Sequence, residues 1–209
     1  PRAVQKAMSG LARQIGVPLT AFRATPVRED HGRSRIVQVN RDMLDVETSW
    51  PGPSAPGGSC AVPARIGIYE DAEKLEIVRC GDAVTGRQAM QVAIMGVTGA
   101  GKTEGLLCEI AEDITRIDVV NWWSDTRKPW QTVGDFRPAL DWLAPDMRTT
   151  RAMVAALKDM IPARSALLGR MGLRQWEPGC GIPYLKVTFE ESAPIMSDLD
   201  RLIKELAEQ

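Results

Sequence analysis

The spacing of apolar and polar positions divides the chain into two regions with different periodicities. In the first region, apolar residues recur at helical spacing across residues 3–17, which predicts a helix. Residues 35–40 alternate between apolar and polar side chains, which predicts a strand. Two further short runs, 64–71 and 74–80, have the same alternation on either side of a polar turn, so we expect a β-hairpin there.

From residue 90 onward, short apolar runs alternate with amphipathic stretches. The runs with strand patterns are 90–95, 117–123 and 184–191, and the stretches with helical patterns are 102–115, 148–172 and 197–209. Pro162 must kink or divide the second of these helices, and Gly172 is a suitable residue to end it. We place Ser197 at the N-cap of the last helix. Alternating strands and helices predict an α/β fold with a parallel sheet.

One charged residue interrupts the strand pattern. A central parallel strand is normally apolar on both faces, yet Lys186 lies in the middle of the run at 184–191. The pattern gives no reason for it, unless one face of this strand is wet.

Between the two regions lies a stretch rich in proline and glycine, residues 51–59, which is either a linker or a long ordered loop. We therefore divide the chain into three parts. Residues 1–50 form a small α+β module of helix plus strand, residues 51–89 form the connection and the hairpin, and residues 90–209 form the α/β core.

The charges are nearly balanced overall but unevenly placed. The net charge is −1, so composition does not indicate nucleic acid as a partner. Residues 1–41, however, carry eight Lys or Arg and two Asp or Glu, whereas residues 184–209 carry six acidic and three basic residues. The basic excess indicates either a solvated face or an anionic partner near the N-terminus.

Cysteine and histidine usage limits the chemistry. The four cysteines form no C-x-x-C pair, and His31 is the only histidine, which argues against structural zinc and against catalysis by a Ser-His-Asp or Cys-His arrangement. Scattered thiols fit a reducing cytosol, so we expect a cytoplasmic protein. The chain has no apolar run long enough to cross a membrane, and we expect no membrane segment in it.

The sequence GVTGAGKT, residues 96–103, matches the phosphate-binding pattern G-x-x-x-x-G-K-[ST] and lies between a predicted strand and a predicted helix. Glycines let backbone N–H groups converge on phosphates, and the helix N-terminus adds partial positive charge. Lys102 would contact the β- and γ-phosphates, and Thr103 would contact magnesium. The alternative is a plain glycine-rich turn. We expect ATP and Mg²⁺ as cofactors, and the predicted cofactor-binding residues are Gly96, Val97, Thr98, Gly99, Ala100, Gly101, Lys102, Thr103 and Glu104.

A phosphate-binding loop requires an acidic partner, usually at the end of another strand. Glu190 and Glu191 end the run at 184–191, where ligands gather on open α/β sheets. We predict Glu190 as a magnesium ligand with Thr103, and Glu191 as the residue that orients or deprotonates water, so that Lys102, Glu190 and Glu191 are the catalytic set. The alternative is a solvated acidic strand end.

Together these segments resemble the motor domain of the FtsK/SpoIIIE family of DNA translocases. The segments that carry the resemblance are VAIMGVTGAGKTEGLL, SDTRK (124–128) and ARSALLGRMGLRQWEPGCGIPYLKVTFEESAPIM (163–196). Residues 50–71 resemble the versions in transfer proteins of actinobacterial conjugative elements. The resemblance covers roughly residues 50–209.

The resemblance implies a RecA-like P-loop NTPase core in a hexameric ring that hydrolyses ATP and moves double-stranded DNA through its pore. It places Glu190 at the magnesium position, where the family usually has Asp, and Glu191 at the catalytic position. Asp125 falls in a short family motif and is either a site residue or part of a surface loop. A part outside this chain could tether the cytoplasmic motor to the inner face of the membrane.

The resemblance also implies that the core is incomplete at its C-terminus. RecA-like folds have another strand between the loop strand and the acidic strand, and it would follow residue 209. The alternatives to a DNA translocase are a related ATPase that moves protein in secretion, a small-molecule P-loop kinase, and a nucleotide-dependent binding module without hydrolysis. The tryptophans Trp122, Trp123, Trp130 and Trp142 are interpreted as packing residues rather than as stacking platforms for bases.

Overall fold

The computed structural model describes residues 2–26, 33–39, 49–69, 73–80, 89–97, 99–191, 193 and 195–198. The chain forms two compact units, one of Pro1–Trp50 with Gly67–Leu75 and the other of Pro51–Ile66 with Glu76–Gln209. The division into three parts that we predicted from the sequence stays a prediction.

The first unit contains a helix and an antiparallel strand pair. Its elements are α1 (Arg2–Ile15), a 3₁₀ turn (Leu19–Ala21), β1 (Phe22–Pro26) and β2 (Ser34–Gln38). Met8 and Ala12 of α1 pack on Phe22 of β1 in a small buried cluster. The predicted helix and the second strand are confirmed. β1 was missed because its sequence, FRATP, has only two apolar positions in alternation and ends in proline, which is too short a pattern to identify a strand.

The second unit is a mixed α/β structure. Its elements, together with the strand pair β3–β4 that both units share, are β3 (Ala64–Ile68), β4 (Lys74–Ile77), α2 (Lys102–Asp113), β5 (Val119–Ser124), α3 (Pro129–Val133), a 3₁₀ helix (Gly134–Ala139), β6 (Trp142–Ala144), α4 (Met147–Arg170) and β7 (Tyr184–Phe189). The two hairpin strands, α2, α4, β5 and β7 lie where the sequence predicted them. The short elements α3 and β6 were missed because three to five residues carry too little periodicity to be recognised.

The sheet of this unit has the strand order β6-β5-β7, and both pairings are parallel. β5 and β7 pair in register from Val119 opposite Tyr184 to Ser124 opposite Phe189. The backbone N–H of Glu190 continues the ladder by donating to the carbonyl of Ser124 at 3.0 Å. The carboxyl ends of these strands are therefore level, and the residues that follow them share one edge of the sheet.

Helices cover both faces of the sheet. On one face, Ile110 of α2 and Val133 of α3 pack on Trp123. On the other face, Met153 of α4 packs on Trp122 and Ala144. Successive residues of β5 thus face opposite layers, as the pleat of a strand requires. The alternation of strands and helices is confirmed as a parallel sheet flanked by helices.

The ends of α4 follow standard capping chemistry. Asp146 accepts a hydrogen bond from the backbone N–H of Thr149 at 2.8 Å, which lowers the pKa of this carboxyl group. At the other end, Gly172 has a φ of +74°, and the N–H of Leu173 reaches back to the carbonyl of Leu168, which is a Schellman motif. Gly172 therefore ends the helix as predicted, and α4 continues through Pro162 without division.

Two sequence predictions are wrong. Residues 90–95 form no strand, and their apolar side chains are exposed, Met95 by 88%. Apolar alternation shows that a segment can be buried, but a strand also needs a backbone partner, and no strand in the described residues pairs with this segment. The sequence also placed Ser197 at a helix N-cap, but residues 193 and 195–198 are already helical. Residues 199–209 of that predicted helix lie outside the described residues.

The structure supplies the reason for Lys186. Its ammonium group lies 2.6 Å from Asp113 and 2.9 Å from Glu109, two carboxylates on the sheet-facing side of α2. Arg79 forms a second ion pair with Asp113. The Lys186 side chain is only 14% exposed, and burial lowers its pKa to about 8, although Glu109 partly opposes this shift. The face of β7 that carries Lys186 is therefore charged and half-buried against α2.

Residues 51–59 are an ordered loop, the second of the two readings of this stretch. Glu112 of α2 accepts hydrogen bonds from the backbone N–H and the hydroxyl of Ser54, at 2.8 and 3.0 Å, and forms an ion pair with Arg116 at 2.7 Å. The side chains of Glu112 and Arg116 are both fully buried. Gly57 adds a backbone bond to Thr115. The loop is thus held against the end of α2 by the buried Glu112 carboxylate together with this backbone bond.

Because that carboxylate is buried with its partners, Glu112→Ala should lower the free energy of unfolding by about 3–5 kcal/mol, since it leaves the Arg116 guanidinium buried without its counter-ion. Urea unfolding monitored by circular dichroism measures the change. Asp159→Ala, at an exposed acidic position of α4, is the matched control and should change stability by less than about 0.5 kcal/mol. A loss below about 1 kcal/mol for Glu112→Ala would contradict the anchoring role.

The lowered pKa of Lys186 predicts how stability depends on pH. Between pH 8 and 10.5, the unfolded chain holds a proton on this lysine that the folded protein has released, so the free energy of unfolding should rise with pH. The slope attributable to Lys186 is at most about 1.4 kcal/mol per pH unit. Urea unfolding at several pH values should show the wild type gaining stability relative to Lys186→Met across this window. Lys158→Met, at an exposed site, should show no such trend, and a flat or falling difference for Lys186→Met would refute the prediction.

Candidate functional site

A cavity of about 440 Å³ lies at the carboxyl edge of the sheet, against the N-terminus of α2. Its volume falls within the usual range for small-molecule sites, about 300–1,000 Å³. The residues that line it are Ile94, Gly99, Gly101, Lys102, Thr103, Glu104, Leu106, Asp125, Arg127, Lys128, Glu190 and Glu191. The two strand ends and the glycine-rich segment, which are distant in sequence, therefore meet in one place.

The turn into α2 depends on glycine. Gly99 and Gly101 have φ values of +84° and +76°, in the left-handed region that side chains rarely adopt. Gly101 is the N-cap of α2, so the chain reverses sharply just before Lys102. The first backbone N–H groups of a helix have no intrahelical acceptor, and here they belong to residues on the cavity wall. The local geometry can therefore receive an anion.

Lys102 is folded back onto its own loop. Its ammonium group donates hydrogen bonds to the carbonyl oxygens of Gly96 and Val97 at 2.8 and 2.9 Å. A Cβ added at Gly96 would come within 3.3 Å of the Ala100 side chain and 3.7 Å of the Lys102 stem. Glycine at position 96 therefore leaves room for the lysine to lie across the loop.

Thr103 and Glu190 connect the helix to the sheet. The Thr103 hydroxyl donates to one carboxylate oxygen of Glu190 at 2.8 Å. The other oxygen, Oε2, is buried and has no hydrogen-bond partner among the described residues. A buried carboxylate oxygen without a partner is costly, so this atom can accept a further ligand such as a cation.

Asp125 organises the end of β5. Its Oδ1 accepts the backbone N–H groups of Arg127 and Lys128 at 2.9 and 3.0 Å. Its Oδ2 is buried and, like the second oxygen of Glu190, has no partner in the part of the chain that the structure describes. Asp125 is fully buried, so it does not belong to a plain surface loop. The turn that it holds carries two basic side chains along the cavity.

The cavity lining is charged with both signs. It contains three basic side chains, Lys102, Arg127 and Lys128, and four acidic ones, Glu104, Asp125, Glu190 and Glu191. Two of the acidic groups, Asp125 and Glu190, have a buried oxygen without a hydrogen-bond partner in the described ranges. A polyphosphate alone would face repulsion from these carboxylates, whereas a polyphosphate with a divalent cation would match both sets of charges.

Most of the predicted site residues meet at the cavity. Gly99, Gly101, Lys102, Thr103, Glu104, Glu190 and Glu191 all line it. Gly96, Val97 and Ala100 belong to the same loop but not to the lining, and Thr98 lies outside the described residues. Arg127 and Lys128 were missed, although two basic residues directly after a strand end are a recognisable signal in α/β sheets.

The structure limits other site types within the described residues. No group of three or more His, Cys, Asp or Glu side chains there could hold a metal ion. None of the described helices has the length and apolarity needed to cross a bilayer. Trp122 and Trp123 are buried in the sheet and Trp142 packs edge-on against Trp122, which confirms packing for these three, whereas Trp130 is 56% exposed.

Comparisons with protein-family models, curated proteins and solved structures find no match.

The hydrogen bond between Thr103 and Glu190 predicts a graded effect of substitution. Thr103→Val keeps the shape but removes the donor, so we expect a loss of about 1–3 kcal/mol in the free energy of unfolding. Thr103→Ser keeps the hydroxyl group and should lose less than the valine variant. Urea unfolding of the ligand-free protein measures both. If Thr103→Val is as stable as the wild type, the bond does not hold α2 to the end of β7.

Proposed function

We propose that this chain is the ATP-binding part of a P-loop ATPase of the DNA-translocase type, with a RecA-like core. The cavity at the carboxyl edge of the sheet would take ATP with Mg²⁺. The observation that carries the proposal is the contact between Thr103, the last residue of the phosphate-binding pattern, and Glu190, the predicted magnesium acid. A phosphate-binding loop requires an acidic residue to hold magnesium together with this threonine, and the two side chains are hydrogen-bonded although they are 87 positions apart in sequence.

The residues present fit the two cofactors. The Thr103 hydroxyl and the unpartnered oxygen of Glu190 would hold the magnesium ion, since hydroxyl and carboxylate oxygens are the ligands it prefers. Bound Mg²⁺ would neutralise phosphate charge during transfer. The free N–H groups of the first turn of α2 would hold the phosphates.

Three side chains would bind the phosphates, activate the attacking water and stabilise the developing charge. Lys102 would exchange its two loop carbonyls for phosphate oxygens, which requires only rotation of its flexible stem. Glu191 lines the cavity, is exposed, and is free to orient and deprotonate a water molecule. Arg127, on the turn held by Asp125, would add charge near the end of the phosphate chain.

Two parts of the proposal, the transported molecule and the ring-shaped assembly, rest on the resemblance of residues 50–209 to the FtsK/SpoIIIE motor. That resemblance supports double-stranded DNA as the partner and a hexamer as the working assembly, and the basic excess of residues 1–41 is compatible with an anionic polymer. A cytoplasmic site of action, with tethering to the membrane by a part outside this chain, rests on the same resemblance. A related ATPase that moves protein and a small-molecule kinase are the alternatives.

The test is ATP binding and turnover with and without long duplex DNA. Lys102→Ala should weaken ATP binding about 10- to 100-fold, the effect of losing a charge-assisted contact. Glu191→Gln should retain binding and lower turnover by about 10²–10⁴-fold, the usual contribution of a general base. Duplex DNA should stimulate turnover of the wild type and have no effect on Lys102→Ala.

The controls separate the alternatives. Lys158→Ala and Asp159→Asn change exposed charges on α4 and should behave as the wild type. Turnover that is indifferent to duplex DNA would contradict DNA translocation and favour protein transport, or a kinase if phosphate transfer needs a small acceptor. Binding of ATP that survives Lys102→Ala would refute the proposed site, and binding without turnover would indicate a nucleotide-dependent binding module.

A further inference from the structure

A pair of buried cysteines lies at the opposite end of β7 from the cavity. The Sγ atoms of Cys60 and Cys80 are 3.4 Å apart and hydrogen-bonded, although the residues are 20 positions apart in sequence. The two residues are 1% and 2% exposed and pack against Trp176. All four cysteines are free thiols in this structure. Neither the fold nor the proposed ATP site explains why these two thiols meet.

Both cysteines are fixed by contacts of their neighbours. The carboxylate of Asp118 accepts the backbone N–H of Cys60 at 2.8 Å and the hydroxyl of Ser59 at 2.5 Å. Beside Cys80, the carbonyl of Arg79 accepts the Tyr184 hydroxyl at 3.2 Å. These anchors hold the backbones of the two cysteines side by side in the folded protein, and the Cys80 thiol also donates to the carbonyl of Cys60 at 3.5 Å.

We propose that Cys60 and Cys80 are a redox modification site that forms a reversible intramolecular disulfide by exchange with a small disulfide of the glutathione type. The thiols are already within contact distance, and the bridge would join the segment before β3 to the segment after β4. The inference is independent of the proposed ATPase activity, since it concerns a different end of the sheet.

The environment assigns different roles to the two thiols. The hydrogen bond from Cys60 lowers the pKa of Cys80, and the adjacent Arg79 lowers it further, although burial and Asp118 oppose this shift. The same hydrogen bond, burial and Asp118 raise the pKa of Cys60. Cys80 is therefore the thiolate that begins the exchange, and Cys60 completes it.

The exchange balances without any other reactant. The Cys80 thiolate attacks one sulfur of the small disulfide, forms a mixed disulfide and releases one small thiolate. The Cys60 thiol loses its proton and attacks the Cys80 sulfur, which forms the protein disulfide and releases the second small thiolate. The protein loses two protons and two electrons, and the small disulfide is reduced to two thiols.

The other two cysteines provide an internal contrast. Cys108 lies on α2 and Cys180 follows α4, and both are half-buried, so they are more accessible than the pair. Burial raises the pKa of Cys108, which makes it a poor nucleophile. Cys108 should therefore stop at the mixed disulfide, whereas Cys180 packs against the cluster that contains Cys60 and Cys80 and is the competing partner in the exchange. The pair should react more slowly, because it requires local opening, but should proceed to the bridge.

The experiment is to equilibrate the reduced protein in glutathione buffers of increasing oxidation, quench the thiols and map the peptides without reduction. Trypsin cuts after Arg65 and Arg79, so Cys60 and Cys80 fall in separate peptides that only a bridge can join. The expected result is one joined Cys60–Cys80 pair that dithiothreitol separates. The oxidised protein should also unfold at a higher urea concentration than the reduced one.

Matched variants identify the pair. Cys108→Ser should form the bridge as the wild type does, whereas Cys80→Ala should lose both the joined peptide and the shift in urea midpoint. Two outcomes would overturn the proposal: unmodified Cys60 and Cys80 in the most oxidising buffer, or joined peptides that involve Cys180 or Cys108 as often as the pair. Because mapping is done on the wild type, the result does not depend on whether a variant folds.

Discussion

The in-register pairing of β5 with β7 is the constraint on which the candidate site depends. Parallel strands that pair without offset end at the same edge, so Asp125 and Glu190 follow their strands at the same level. The Glu190 N–H bond to the Ser124 carbonyl extends this alignment one residue beyond the sheet. A shift of the pairing by two residues would keep every side chain on its face. It would also move one carboxylate roughly 7 Å from the other and separate the elements of the cavity.

Charged contacts beneath α2 fix the helix relative to that edge. Beside the apolar contact of Ile110, Glu109 and Asp113 of the helix form ion pairs with Lys186 of β7. Glu112 forms a third, buried ion pair with Arg116. Ion pairs of this kind contribute little net stability compared with apolar packing, yet an unpaired member would be costly. Their main effect is therefore to favour one position of α2 on the sheet over others, because any other position would leave a buried charge without its partner. In that placement, the N-terminus of α2 lies against the end of β7, where Thr103 reaches Glu190.

The sequence predicted the long helices and strands and the residues of the candidate site better than it predicted which strands and charged side chains pair with each other. α2, α4, β5 and β7 each carry enough apolar periodicity to be recognised, and the spacing from Gly96 to Thr103 together with the acids after β7 identified most of the cavity lining. Residues 90–95 have an equally clear strand pattern but pair with no strand among the described residues, because a pattern indicates the potential for burial and not the presence of a neighbouring strand. Lys186 and the 51–59 loop could not be interpreted from the sequence for a related reason. Their partners, Asp113, Glu109 and Glu112, are distant in the chain, and helical carboxylates ordinarily face solvent.

The length of the Glu190 side chain bears directly on the proposed chemistry. An aspartate at this position would be one methylene shorter, about 1.5 Å, and would draw the carboxylate back toward the strand end. Glu190 instead reaches Thr103 at 2.8 Å with one oxygen and keeps the other buried and unpartnered. When one oxygen of a carboxylate accepts a hydrogen bond from a neutral hydroxyl group, the carboxylate keeps most of its negative charge, and its second oxygen can still bind a cation. Glutamate at this position thus leaves one carboxylate oxygen without a hydrogen-bond partner among the described residues, and the position of the carboxylate is set by the threonine as much as by the strand. A cation held there would be tied to the start of α2, and any change in the loop that moved Thr103 would also move the acid that binds it.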